Sequence, residues 1–129
     1  MKKIEGGVTA AKGFEAASAA AHIKYEGRND MALVYSKAPC VSAGTFTTNI
    51  VKAAPVIWDR ELVFSGAPAH AVIVNSGIAN ACTGKQGMDY CRQTAEEAAS
   101  CLGIVFFDRL IIAKRNCCSV RVSFTASVP

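Results

Sequence analysis

The sequence predicts an α+β fold, a single domain of packed helices and strands. Three observations carry this. Short apolar runs bounded by turn residues recur between positions 31 and 75. A three- and four-residue apolar period runs from Gly87 to Leu102. Alanine and other small residues dominate the first hundred positions, which suits close packing of helices on a sheet.

Taken in order, residues 5–13 are Gly-rich and read as an extended lead-in. Residues 14–25 (FEAASAAAHIKY) read two ways, because their alanines favour a helix by propensity alone. Residues 31–36 are a buried strand between Gly27-Arg28-Asn29-Asp30 and Lys37-Ala38-Pro39. Residues 42–47 are a second strand, joined to the first by a hairpin through 37–41. Residues 53–64 are a helix with Pro55 tolerated in its first turn. Val56, Ile57, Leu62 and Val63 supply its apolar face, and Ser65-Gly66 stop it. The continuous apolar content of 70–75 predicts a strand buried on both faces. In the helix 87–102, Met88, Cys91, Ala95, Ala98 and Leu102 form one stripe, and Gly103 ends it. Beyond Gly103 the pattern degrades. Val105-Phe106-Phe107 and Leu110-Ile111-Ile112 are strand candidates, and residues 117–129 show no clear period.

Bulk properties exclude several functions. A chain of 129 residues holds one domain, and with 51% apolar and 19% charged residues it is not disordered by composition. The net charge of +4 is uneven: residues 1–103 carry ten Lys/Arg against nine Asp/Glu, and residues 104–129 carry four against one. No basic run interleaved with aromatics and no zinc-finger spacing appears, so no nucleic-acid partner is expected. The six cysteines fit neither a disulfide framework nor a metal site. No apolar signal core follows Met1-Lys2-Lys3-Ile4-Glu5, and no apolar run approaches the length of a membrane span. A cytoplasmic protein with reduced thiols, no metal, no cofactor and no membrane partner is therefore expected.

The most informative stretch is Val74-Asn75-Ser76-Gly77-Ile78-Ala79-Asn80-Ala81-Cys82-Thr83-Gly84. It lies between an apolar strand and a helix, and its glycines and asparagines suit tight, specific turns. Amide side chains and free backbone N–H groups at a helix mouth can hold carboxylates or oxyanions. Asn75, Gly77, Asn80 and Gly84 are thus the substrate-pocket candidates, against a purely loop-shaping role. His22 and His70 have no triad partner at a telling spacing and read as packed or surface residues. Thr45, Thr47, Thr48 and Asn49 make a hydroxyl-rich patch with no base to activate it, and strand structure explains them equally well. Lys12, Lys24 and Lys52 receive no role.

The same stretch, with three others, resembles the N-terminal part of the glutamate N-acetyltransferase/ornithine acetyltransferase family of arginine biosynthesis. The others are Gly6-Gly7-Val8-Thr9-Ala10-Ala11-Lys12-Gly13-Phe14, Asp30-Met31-Ala32-Leu33-Val34, and Ala43-Gly44-Thr45-Phe46-Thr47-Thr48-Asn49 followed by Val51-Lys52-Ala53-Ala54-Pro55-Val56. The four are collinear and span about residues 6–104. The resemblance implies that 14–25 is extended. It also implies a layered αββα sandwich related to the DmpA-like fold, of which this chain matches only the early part.

In that family a precursor cuts itself at an Ala-Thr bond. The new N-terminal Thr moves an acetyl group from N-acetylornithine, or acetyl-CoA in bifunctional members, to glutamate, and a Thr-Gly pair stabilises the oxyanion. The two chains stay associated and oligomerise. Here no Thr-Gly pair follows position 104, and Lys114-Arg115 stand near its place. No catalytic residue is therefore assigned. Residues 1–104 are expected to be the N-terminal part of the acetyltransferase domain, and 105–129 a divergent, frame-shifted tail. The chain is expected to be a truncated member, inactive by itself. Two alternatives stand beside this: a non-catalytic fragment that folds by association, and a thiol or metal protein built on the Cys-rich tail.

Overall fold

Pairing rather than propensity decides the alanine-rich segment near the N-terminus. The computed structural model describes residues 5–79, 81–104, 109–114 and 121–126, the last two as backbone. In it Phe14–Ala19 forms a strand, β1, antiparallel to the first half of β2 (Met31–Thr45), with Ala17 opposite Leu33. A short helix is marginal even when alanine-rich, so a ladder to a neighbouring strand prevails. β3 (Ala69–Asn75) lies antiparallel on the other side of β2, and β4 (Arg109–Lys114) lies parallel to β3. β5 (Arg121–Ala126) pairs antiparallel with the second half of β2. The helix α1 (Ala54–Phe64) connects β2 to β3, and α2 (Gly84–Leu102) makes the crossover that the parallel pair β3–β4 requires.

The expected hairpin at 37–41 is not formed, because β2 runs unbroken through it. Its turn residues make a bulge instead. Tyr35 faces Ala71 and Cys40 faces Ala69, so the residues from Ser36 to Pro39 stand opposite His70 alone. Pro39 cannot donate to a ladder, and the bulge gives it a place where none is needed. The bulge bonds to itself: Ser36 Oγ donates to the Ala38 carbonyl at 2.7 Å, and the Cys40 thiol donates to Ser36 Oγ at 3.1 Å.

Both helices pack on one face of the sheet. Ala71 and Ile73 of β3 meet Ala54 of α1 and Cys91, Ala95 and Ala99 of α2, with Leu33, Tyr35, Trp58, Met88, Ala98 and Leu102 around them. The stripe read on α2 thus faces the core. On α1, Val56 and Leu62 are buried as expected, but Ile57 is 37% exposed and the fully buried position is Asp59. α2 starts three residues earlier than its apolar period indicates. It ends at Gly103 in the left-handed backbone (φ 66°), where the Ile104 N–H returns to the Ala99 carbonyl at 3.1 Å.

Leu110–Ile112 lie within β4 as expected, while Val105-Phe106-Phe107 fall outside the described residues. The strand β5 runs through a region read as lacking a period. Its sequence Arg-Val-Ser-Phe-Thr-Ala does alternate polar and apolar, over six residues only. Among the described residues no helix is long and apolar enough to cross a membrane.

Candidate functional site

The site is built where β3 ends. Its last residue, Asn75, leads into the loop that reaches α2 at Gly84, at the carboxyl end of the parallel β3–β4 pair. That end of an open sheet is the usual place for a ligand. Three contacts fix the loop. The Ser76 N–H donates to the Asp30 carbonyl at 2.8 Å, and Ala81 bridges antiparallel to Ala53 just before α1. Gly77, at φ 101°, lies so close to residue 24 that a Cβ there would meet Lys24 Cβ at 3.0 Å. Cys82 carries φ 59°, an uncommon conformation for a residue with a side chain.

Beneath this loop is a cleft of about 290 Å³. Buried Ile73, Ala54 and Cys91 supply apolar walls, while Asn75, Thr83, Tyr90 and Thr94 supply polar atoms. Asn75 Oδ1 is buried, and among the described residues no group donates to it. Such an atom costs about 1–3 kcal/mol unless something donates to it. The Thr94 hydroxyl instead donates to the Tyr90 carbonyl at 2.8 Å, and Gln86 Nε2 donates to the Tyr90 hydroxyl at 2.9 Å.

Asp30 holds the opposite wall. Its carboxylate accepts the Ala21 and Ile23 N–H groups, each at 2.7 Å, and so draws residues 21–23 toward the cleft that Ile23 lines. Burial pushes this carboxyl up, but those two bonds, one from its own N–H and the field of His22 outweigh it. The pKa lies below the ordinary 3.8.

Of the pocket candidates, Asn75 lines the cleft. Gly77 and Gly84 are not among its lining residues: Gly77 makes the close approach to Lys24, and Gly84 opens α2. Asn80 lies outside the described residues. His70 is a packed histidine, 8% exposed, whose Nδ1–H donates to the Ser36 carbonyl at 3.1 Å with the Tyr35 ring stacked nearby. Asp30 and Tyr90 were not singled out in the sequence. An acid closing a Gly-Arg-Asn turn before a strand is a faint signal of a buried clamp, and Tyr90 lies off the apolar stripe.

The thiols divide by exposure. Cys40 and Cys91 are buried and free, Cys82 and Cys101 exposed and free, and Cys117 and Cys118 lie outside the described residues. Burial, with Asp59 nearby, pushes the Cys91 thiol up to about 11, so it stays protonated at neutral pH. Brief iodoacetamide treatment of the native chain, read by peptide mass spectrometry, should modify Cys82 and Cys101 well before Cys40 and Cys91. Among the described residues no three His, Cys, Asp or Glu side chains converge on a point that could hold a metal.

The residues that build the cleft lie within a match to the ArgJ family over residues 15–113. The chain belongs to the ArgJ family. Among its relatives, the arginine biosynthesis bifunctional protein ArgJ of Gloeobacter violaceus is 48% identical over 110 residues, which are 85% of this chain and 27% of that protein. The ArgJ protein of Streptomyces coelicolor is 54% identical over 97 residues, 74% of this chain and 25% of that protein. The crystal structure of the Bacillus halodurans ArgJ protein superposes with a TM-score of 0.77 at 36% identity, covering 84% of this chain and 56% of that one. The Mycobacterium tuberculosis ornithine acetyltransferase, solved with ornithine, gives 0.77 at 43%, covering 84% and 58%. This chain thus spans about a quarter of the length of the curated ArgJ relatives it matches. The ArgJ match also runs past Ile104, ending just before Lys114-Arg115.

Proposed function

We propose that these residues are the N-terminal part of an acetyl-transferring enzyme of arginine biosynthesis, which takes acetyl groups from N-acetylornithine or acetyl-CoA and gives them to glutamate in the cytoplasm. The observation that carries this is the family match across every element that builds the loop and its cleft. The residues suit binding rather than bond-making. Asn75 Oδ1 has room for one N–H donor, which an acetylated amine supplies, and the apolar walls suit an acetyl methyl. The first N–H groups of α2 have no acceptor within the helix and favour a carboxylate nearby. The covalent step needs an activated hydroxyl and an oxyanion cradle. Ala-Thr does not occur in the 129 residues, and no Thr-Gly pair follows position 104. Those groups then belong to further ArgJ sequence, whose second chain would be the partner in an oligomer. The tail of residues 105–129 is read as divergent and frame-shifted, although the family match runs on to residue 113.

Two assays test this. The purified chain with N-acetylornithine and glutamate should give no acetylglutamate above blank, and its intact mass should show one uncut species. Co-expressed with the remaining sequence of the Streptomyces coelicolor relative, it should restore acetyl transfer, which Asn75→Ala should reduce by about tenfold or more. Turnover by the chain alone, or complementation indifferent to Asn75, would defeat the proposal.

A further inference from the structure

A second cleft, of about 350 Å³, lies where the end of β2 and the loop after it meet the exposed face of α1. Its volume is within the roughly 300–1,000 Å³ of small-molecule sites. We propose that this cleft binds a phosphate-bearing molecule with a flat ring, of the nucleoside diphosphate class. The inference does not rest on the acetyl-transfer reading, because none of its lining residues lines the cleft beneath the 75–84 loop.

The charge is of one sign. Among the described residues Lys52 and Arg60 are the only charged ones lining it, and neither forms an ion pair there. Two uncompensated cations facing one space attract a polyvalent anion more strongly than a single carboxylate. Hydroxyls supplement them. Thr47 Oγ1 accepts the Asn49 N–H at 3.2 Å, so its own hydrogen remains to be donated, and Thr48 lies beside it.

The aromatic side of the cleft selects what the anion is attached to. Phe64 is 69% exposed, unusual for so apolar a residue on a helix. Its ring lies 5.8 Å from that of Phe46, tilted by 55°, and the Arg60 guanidinium carbon is 5.5 Å from the Phe64 ring centre. That ring contact restrains a long cation that would otherwise sweep through solvent. An exposed ring beside two cations offers a nucleobase a stacking surface while its phosphates meet Lys52 and Arg60.

Titration of the isotope-labelled chain at low ionic strength, followed by amide NMR, tests the site with ADP, inorganic pyrophosphate and adenosine. ADP should bind saturably and move the amides of Phe46, Thr47, Thr48 and Lys52. Pyrophosphate should bind there more weakly, and adenosine more weakly still. Lys52→Ala and Arg60→Ala should each reduce ADP affinity by about tenfold or more. Phe64→Ala should weaken ADP but leave pyrophosphate unchanged, and the charge-matched control Lys12→Ala should change nothing. Each variant's amide spectrum reports whether it is folded, and the unsubstituted chain's shift map stands whatever the variants do. The proposal is overturned by no saturable ADP binding, by shifts centred elsewhere, or by Lys12→Ala weakening ADP as much as Lys52→Ala does. Self-association through Phe64 that ADP leaves unaffected would overturn it too, marking the rings as a protein contact.

Discussion

Gly87→Ala is expected to destabilise the chain by about 1–3 kcal/mol, the usual range for overpacking. The sign is the informative part. Inside a helix, alanine is normally better than glycine by about 1 kcal/mol. Gly87 lies in the first turns of α2, and its φ is not one that glycine alone adopts. Its environment reverses the preference. A Cβ there would stand 1.9 Å from Thr83 Oγ1, 2.7 Å from Thr83 Cβ and 3.1 Å from Ala54 Cβ. Rotating Thr83 removes the first conflict but not the second, since Cβ is fixed to the backbone. The first turn of α2 must therefore distort to part residues 83 and 87 and also ease off Ala54 of α1, and both helices line the 75–84 cleft at that point. Urea unfolding should show a lower midpoint with an unchanged slope. The double variant Thr83→Gly with Gly87→Ala should recover part of the loss. A Gly87→Ala chain as stable as the original would show that residue 87 is not held this closely against Thr83 and Ala54.

Why the sequence anticipated some of this and not the rest follows from the range of each interaction. The α2 stripe was legible because a helix states its buried face within its own residues: Cys91 and Ala95 are spaced as the core requires. The strand at 69–75 was legible because burial on both faces leaves an uninterrupted apolar run. The bulge in β2 was not, since Lys37-Ala38-Pro39 has the same composition in a turn as in a bulge, and only His70, on another strand, decides between them. The inward side of α1 was misjudged at Ile57 because hydropathy placed it inside, whereas the fully buried position is Asp59. The buried Asp59 faces a core that includes Cys91, whose thiol feels its charge. At the site, Asn75 was singled out as an amide beside glycines, but its unsatisfied oxygen is a fact of three-dimensional packing. Lys52 and Arg60 looked like ordinary surface cations, and only the fold places them beside the same two phenylalanines.

Replacing Asp30 should detach the wall of the cleft while leaving the sheet formed. Its carboxylate is the acceptor for both Ala21 and Ile23, and its main chain continues the ladder, with Asp30 N–H to the Ala19 carbonyl at 3.1 Å and Ser76 N–H to its own carbonyl. Asp30→Ala removes only the side-chain half. The Ala21 and Ile23 amides should then exchange with solvent faster by about tenfold or more, while the Ser76 amide stays protected. Asp30→Asn keeps the shape but offers one acceptor oxygen in place of two, so one of the two amides should remain protected and the other not. Acid should reproduce the alanine variant. The folded-state pKa lies below 3.8, so the bonded carboxylate adds stability that is fully present above the unfolded value and is lost as pH falls through the folded one. From neutrality down to about pH 5 the Asp30 contribution is present in full, so the unfolding midpoint should not change with pH on its account. Below the ordinary carboxylate range it should fall, and Asp30→Asn should flatten that fall. Equal acid sensitivity in the original chain and in Asp30→Asn would mean that other carboxylates carry the transition and that Asp30 is not the clamp on residues 21–23.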